Sequence, residues 1–168
     1  MTMTAPGKVL AIDAGASIGY AWFVNGRYSS SGTKTADILA QLAVEWVEAE
    51  PDAVVIEPCL PRGGGALELK LRTVMGVLEA VFPDAVVIPA STWKPVAGTW
   101  PLPTLPDGGA FRDRPTQHSK DACRLAMYYL WRDHVPALKQ GRCICEGEFI
   151  WACGPECECF HHAPWEEL

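Results

Sequence analysis

Lys8-Val9-Leu10-Ala11-Ile12-Asp13 and Ala53-Val54-Val55-Ile56-Glu57 are two apolar runs that each end on an acid. Unbroken hydrophobicity over so few residues predicts a strand covered on both faces. A carboxylate at the end of a buried strand is expensive to desolvate unless it is paired or set against a cation. If the two strands are neighbours in the centre of one sheet, both acids emerge at the same sheet end.

The chain on either side completes that sheet. Gly19 to Val24 reads as a second strand, and Asn25-Gly26 is a strong signal for a two-residue hairpin. Arg27 to Ser31 would return as an outer, more polar strand. Ala36 to Glu50 fits a helix through Ile38, Leu39, Leu42, Ala43, Trp46 and Val47, stopped by Pro51. Pro61-Arg62-Gly63-Gly64-Gly65 reads as a loop. Ala66 to Phe82 is helical by pattern, and Ala85 to Ile88 is a further strand. From Pro89 to Pro115 the chain is rich in Pro and Gly and has no clear period, which is long for an inert loop. Gln117 to His134 is helical, with Ala122, Leu125, Ala126, Tyr129 and Leu130 as its buried stripe. Three strands and then alternating helices and strands predict an α/β domain with a mixed sheet and helices packed on it.

Composition sets the outer limits. The chain has 168 residues, 49% hydrophobic and 20% charged, which fits one globular domain with a small appendage. No long apolar run predicts a membrane span, and the N-terminus lacks a secretory pattern, so a cytoplasmic, nucleoid-associated protein is expected. The net charge of −6 argues at first against nucleic acid. Residues 141–168, however, carry six Glu against Arg142 alone, which leaves 1–140 nearly balanced. An acidic total then says little about partners.

His118 and Asp121 stand three apart at the start of the last helix and so share a face. With Asp13 and Glu57 they make four oxygen or imidazole donors from three separate elements. Such a set suits Mg²⁺ or Mn²⁺. A pair of these ions roughly 3.5–4 Å apart serves phosphodiester hydrolysis. Taken singly, each residue has a plainer reading as a strand-end cap or a solvated helix end.

The ordered set Ile12-Asp13-Ala14-Gly15 with Gly19 and Ala21, Val55-Ile56-Glu57-Pro58, Ala66-Leu67-Glu68-Leu69 leading to Gly76-Val77, Ile88-Pro89 with Trp93-Lys94, and His118-Ser119-Lys120-Asp121-Ala122 resembles the RuvC group of Holliday junction resolvases. The resemblance runs over about residues 8–134. It implies a ribonuclease-H-like five-stranded mixed sheet in a nuclease domain over 8–136. It also implies a homodimer and metal-dependent cutting of four-way DNA junctions to 5′-phosphate and 3′-hydroxyl ends. By that resemblance Asp13 would bridge two metals, and Glu57 would bind one and help place the attacking water. Asp121 would complete the cage. His118 would ligate or sit beside the metal that holds the nucleophile. The resemblance fails at Leu60, where relatives often carry an aromatic that packs on junction bases.

The acids stand among basic residues. Arg62, Lys70 and Arg72, then Lys94, Arg112, Arg114 and Lys120, would form a phosphate-contacting face once metals neutralise the cage. Trp93 would either stack on unpaired bases or belong to the core. The helix Ala66–Phe82 is apolar over more than a narrow stripe, as expected of a helix that packs both on the core and on a partner copy. Residues 141–168 form a Cys- and Glu-rich tail. There Cys143, Cys145, Cys153 and Cys157, with Cys159 or His161 as substitutes, could hold a structural Zn²⁺, or the thiols could simply be reduced and free.

Two other classes compete with this reading. One is a DNA-binding scaffold without nuclease activity, which has no need of clustered acids. The other is an actin-like kinase or ATPase, because Asp13-Ala14-Gly15-Ala16-Ser17 also resembles a phosphate-binding turn. That fold needs a second domain of the same kind, for which 168 residues are too few.

Overall fold

The computed structural model describes residues 6–59, 65–103 and 116–134. Leu60, Arg62, Arg112, Arg114 and the tail, with Cys143, Cys145, Cys153, Cys157, Cys159 and His161, lie outside the described residues. So does any boundary between a domain over 8–136 and a tail over 141–168.

The strands are β1 (Lys8–Asp13), β2 (Ser17–Val24), β3 (Arg27–Thr35), β4 (Ala53–Glu57) and β5 (Val86–Val87). The helices are α1 (Leu39–Glu48), reached through a 3₁₀ turn at Ala36–Ile38, then α2 (Ala66–Val81), α3 (Ala90–Ala97) and α4 (Gln117–His134). The sheet order is β3-β2-β1-β4-β5. Its first three strands form an antiparallel meander, while β1–β4 and β4–β5 are parallel. The two runs that end on acids are thus buried neighbours inside the sheet, the condition under which both acids emerge at one sheet end.

Alternation along these strands feeds two cores. Val9, Ala11, Ala21, Phe23 and Val55 point to one face, where they pack with Trp93 and Ala97 of α3 and with Ala122, Leu125 and Ala126 of α4. Leu10, Ile12, Ile18, Val54 and Ile56 point to the other, where Leu39, Leu42 and Trp46 of α1 meet Val74 and Leu78 of α2. The hairpin turns at Asn25 (φ 51°) and Gly26 (φ 73°), the paired left-handed conformation a two-residue turn needs.

β2 begins at Ser17, ahead of the expected Gly19, and β5 keeps only Val86–Val87 of the expected Ala85–Ile88. Three further elements depart from the sequence expectation. β3 runs on to Thr35 through polar residues, which an edge strand tolerates because one side faces solvent. α1 ends at Glu48, short of the expected Glu50, where φ of +49° takes the backbone out of the helix. The stretch after Pro89 is not all loop, since α3 occupies its first part despite Pro95.

A single row of residues crosses four strands. Thr33 pairs with Gly19, Gly19 with Asp13, and Asp13 with Glu57. Register partners point to the same face, and here that face is the α3/α4 side. The start of α4 rests on this row. Thr33 Oγ1 hydrogen-bonds Thr116 Oγ1 just ahead of the helix. At Gly19 the backbone carbonyl of His118 comes so close that a Cβ would lie 2.1 Å from its oxygen.

Candidate active site

Asp13 and Glu57 end their strands side by side, and Asp121 enters from one turn inside α4. All three are almost wholly desolvated, with 7%, 7% and 8% of their surface exposed. Such carboxylates need partners, and each has one. His118 Nδ1–H donates to Asp13 Oδ2 at 2.7 Å, a tautomer assigned because an ionised carboxylate can only accept. Trp93 Nε1–H donates to Glu57 Oε2 at 2.9 Å. Gln117 Nε2 donates to Asp121 Oδ1 at 2.6 Å. Lys94 Nζ lies between the remaining oxygens, 3.0 Å from Glu57 Oε1 and 3.0 Å from Asp121 Oδ2.

The electrostatics follow from crowding three acids out of water. Burial pushes the Asp13 carboxyl up to about 6; its bond to His118 opposes this, and the charges of Glu57 and Asp121 add to it. Lys94 titrates above the ordinary lysine value. Burial works against its charge, but the hydrogen bonds to Asp121 and Glu57 outweigh it.

A carboxyl raised in the folded state binds its proton more tightly there than in the unfolded chain. Its contribution to stability is therefore complete below about pH 4 and lost as pH rises through about 6. In metal-free buffer this one group should cost on the order of 3 kcal/mol across that window. Thermal melts from acid to neutral pH, with Asp13→Asn as the reference, check this. The wild type should lose melting temperature relative to the variant as pH rises, and parallel curves would show that Asp13 is not the strained group.

The donor chemistry fits a hard divalent cation. Three buried carboxylates converge, and two of them, Glu57 and Asp121, already accept one cationic group, the Lys94 ammonium, between them. Among the described residues, however, no three His, Cys, Asp or Glu side chains are arranged as a ready metal cage. Asp13 is engaged with His118, while Glu57 and Asp121 close on Lys94.

The basic residues of the sequence reading divide. Lys94 belongs to the acid cluster rather than to an open phosphate-facing surface. Lys70 and Arg72 lie on α2, paired with Asp37 at 2.9 Å and with Glu68 at 2.6 Å. Lys120 is half-buried on α4. Trp93 corrects its stacking role: it is fully buried and its indole N–H is spent on Glu57, so no base can stack on it. Sequence reasoning missed Gln117, the Trp93 bond to Glu57, and the approach of His118 to Gly19. The one signal for the second was the adjacent Trp93-Lys94, an N–H donor and a cation a few residues past Ile88-Pro89.

No family model matches the sequence, and no curated protein does. Solved structures do match. RuvC of Thermus thermophilus in complex with a Holliday junction substrate superimposes with a TM-score of 0.55 at 16% identity, covering 77% of this chain and 96% of that one. A second structure of Thermus thermophilus RuvC gives a TM-score of 0.51 at 16% identity, covering 80% of this chain and 96% of that one. Chains this different in sequence share the fold, not by that fact the chemistry. The chain has the RuvC fold, a ribonuclease-H-like five-stranded mixed sheet with helices on both faces.

Proposed function

We propose that this protein is a divalent-metal-dependent, structure-selective DNA endonuclease that resolves four-way or other branched junctions by phosphodiester hydrolysis. The observation that carries the reading is the convergence of Asp13, Glu57 and Asp121, buried together at the C-terminal ends of two central parallel strands. Open sheets of this kind place ligands at that edge. A domain with no reaction to perform gains nothing from desolvating three like charges in one place.

Asp13, Glu57 and Asp121 would hold two Mg²⁺ or Mn²⁺ ions, with His118 beside Asp13. When bound, such ions supply a water nucleophile at neutral pH and stabilise the leaving 3′ oxygen. The chain's own residues do the rest. His118, held through Nδ1 by Asp13, carries its lone pair on Nε2 and can take a proton from an approaching water. Trp93 fixes the Glu57 carboxylate through Oε2. Gln117 does the same for Asp121 through Oδ1. Lys70, Arg72 and Lys120, together with Arg62, Arg112 and Arg114, would contact phosphates, an attraction that weakens with salt.

Two nicks at a symmetric junction call for two copies. The exposed Leu67 and Leu69 on α2 support a homodimer joined through that helix.

A synthetic four-way junction, offered beside a linear duplex of the same sequence, tests the proposal. With Mg²⁺ or Mn²⁺ the junction should be cut at least about tenfold faster, a discrimination of roughly 1.4 kcal/mol, and chelation should stop both reactions. Equal rates would remove the junction claim, and cutting in excess chelator would remove the metal claim.

A further inference from the structure

We propose that Lys94 is a built-in placeholder for a metal ion. Its ammonium holds Glu57 and Asp121 together in the metal-free protein and must swing out before a divalent cation can take both carboxylates.

The inference rests on the nuclease reading above and on the geometry of one side chain. Lys94 Nζ is 3.0 Å from Glu57 Oε1 and 3.0 Å from Asp121 Oδ2, so it occupies the space between two acids that arrive from different elements. The other oxygen of each acid is already engaged, Oε2 of Glu57 by Trp93 and Oδ1 of Asp121 by Gln117. The pair of oxygens that faces Lys94 is the pair a shared cation would use. Lys94 can leave. Its side chain keeps 40% of its surface in solvent, and it is carried on four rotatable bonds. The acids cannot, since each is rooted in a buried strand end or a packed helix. A resident ammonium also explains how Glu57 and Asp121, both desolvated, sit together in a folded protein before metal arrives. Ion and ammonium then exclude one another, and apparent metal affinity falls by the factor with which the lysine-in arrangement outweighs the open one.

The wild-type protein gives the first test, timed labelling with an amine-reactive reagent read lysine by lysine in a mass spectrometer. Exposed Lys34 on β3 is the internal reference. Without metal, Lys94 should label several-fold more slowly than Lys34, and saturating Mn²⁺ should bring it close to the Lys34 rate. Calorimetry on the same sample reports whether Mn²⁺ binds. Binding with no change at Lys94 overturns the placeholder and leaves the nuclease reading standing. No binding at all removes both. The second test is Lys94→Met, which keeps length and removes charge. It should bind Mn²⁺ about tenfold more tightly and melt lower than wild type in chelator. An affinity equal to or weaker than wild type would sink the proposal.

Discussion

Asp13→Asn should abolish the proposed DNA cleavage, by about 10³-fold or more, while junction binding and the fold should be retained. The substitution keeps the shape of the side chain and so disturbs neither the β1 register nor the packing behind it. An amide oxygen can still accept from His118. What is lost is the negative charge at the centre of the row, between Glu57 on β4 and His118 on α4. The same change should make the metal-free protein more stable at neutral pH, because an ionised Asp13 there is held against burial and two neighbouring acids. A gain in melting temperature together with a loss of cleavage is the signature of a charge kept for chemistry rather than for folding. Gel assays on a four-way junction, with a binding assay in Ca²⁺ and a melt in chelator, read the three quantities. A variant that still cuts at a comparable rate would take Asp13 out of the reaction.

Gly19→Ala should damage both the fold and the site. A Cβ at Gly19 would stand 2.1 Å from the His118 carbonyl oxygen and 2.3 Å from its carbon, both backbone atoms that cannot rotate away. The start of α4 has to rise from the sheet, and His118 and Asp121 rise with it. Overpacking of this kind costs about 1–3 kcal/mol. A displacement near 1 Å at reacting groups costs on the order of 10²-fold in rate. The control is Gly76→Ala in α2, where an added Cβ meets nothing within 4 Å and alanine should stabilise the helix by up to about 1 kcal/mol. Melting curves and cleavage rates for the two variants should move in opposite directions from wild type in stability, with activity lost only in Gly19→Ala. Full activity in Gly19→Ala would mean that the seat of α4 does not position the acids.

Much of this is legible in the amino-acid sequence. β1 and β4 announce themselves by continuous hydrophobicity and the hairpin by Asn25-Gly26. α1, α2 and α4 follow from apolar spacing close to their observed ends. Asp13 and Glu57 come side by side once β1 and β4 are neighbours, while His118 and Asp121 reach them only through the docking of α4. What stayed hidden depends on contacts between distant segments. α3 is short and contains Pro95, so its local pattern argues for a loop, yet burial of Trp93 and Ala97 holds it as a helix. Trp93 and Lys94 look like a stacking ring beside a phosphate-binding cation. Only the placement of α3 against β4 turns both toward Glu57. Gly19 carries no side chain to read, and its meaning appears when a helix from residues 117–134 lands on it.

The acids and their partners come from residues 13, 57, 93–94 and 117–121, spread over four stretches of the polypeptide. Contacts so far apart in the chain form late, because each must close a long loop first. A polypeptide emerging from the ribosome therefore has no complete acid cluster until α4 has docked. On the nuclease reading, stalled or prematurely terminated products that lack α4 would be harmless to the genome, since the acid cluster stays incomplete even after all five strands, the last ending at Val87, have been laid down.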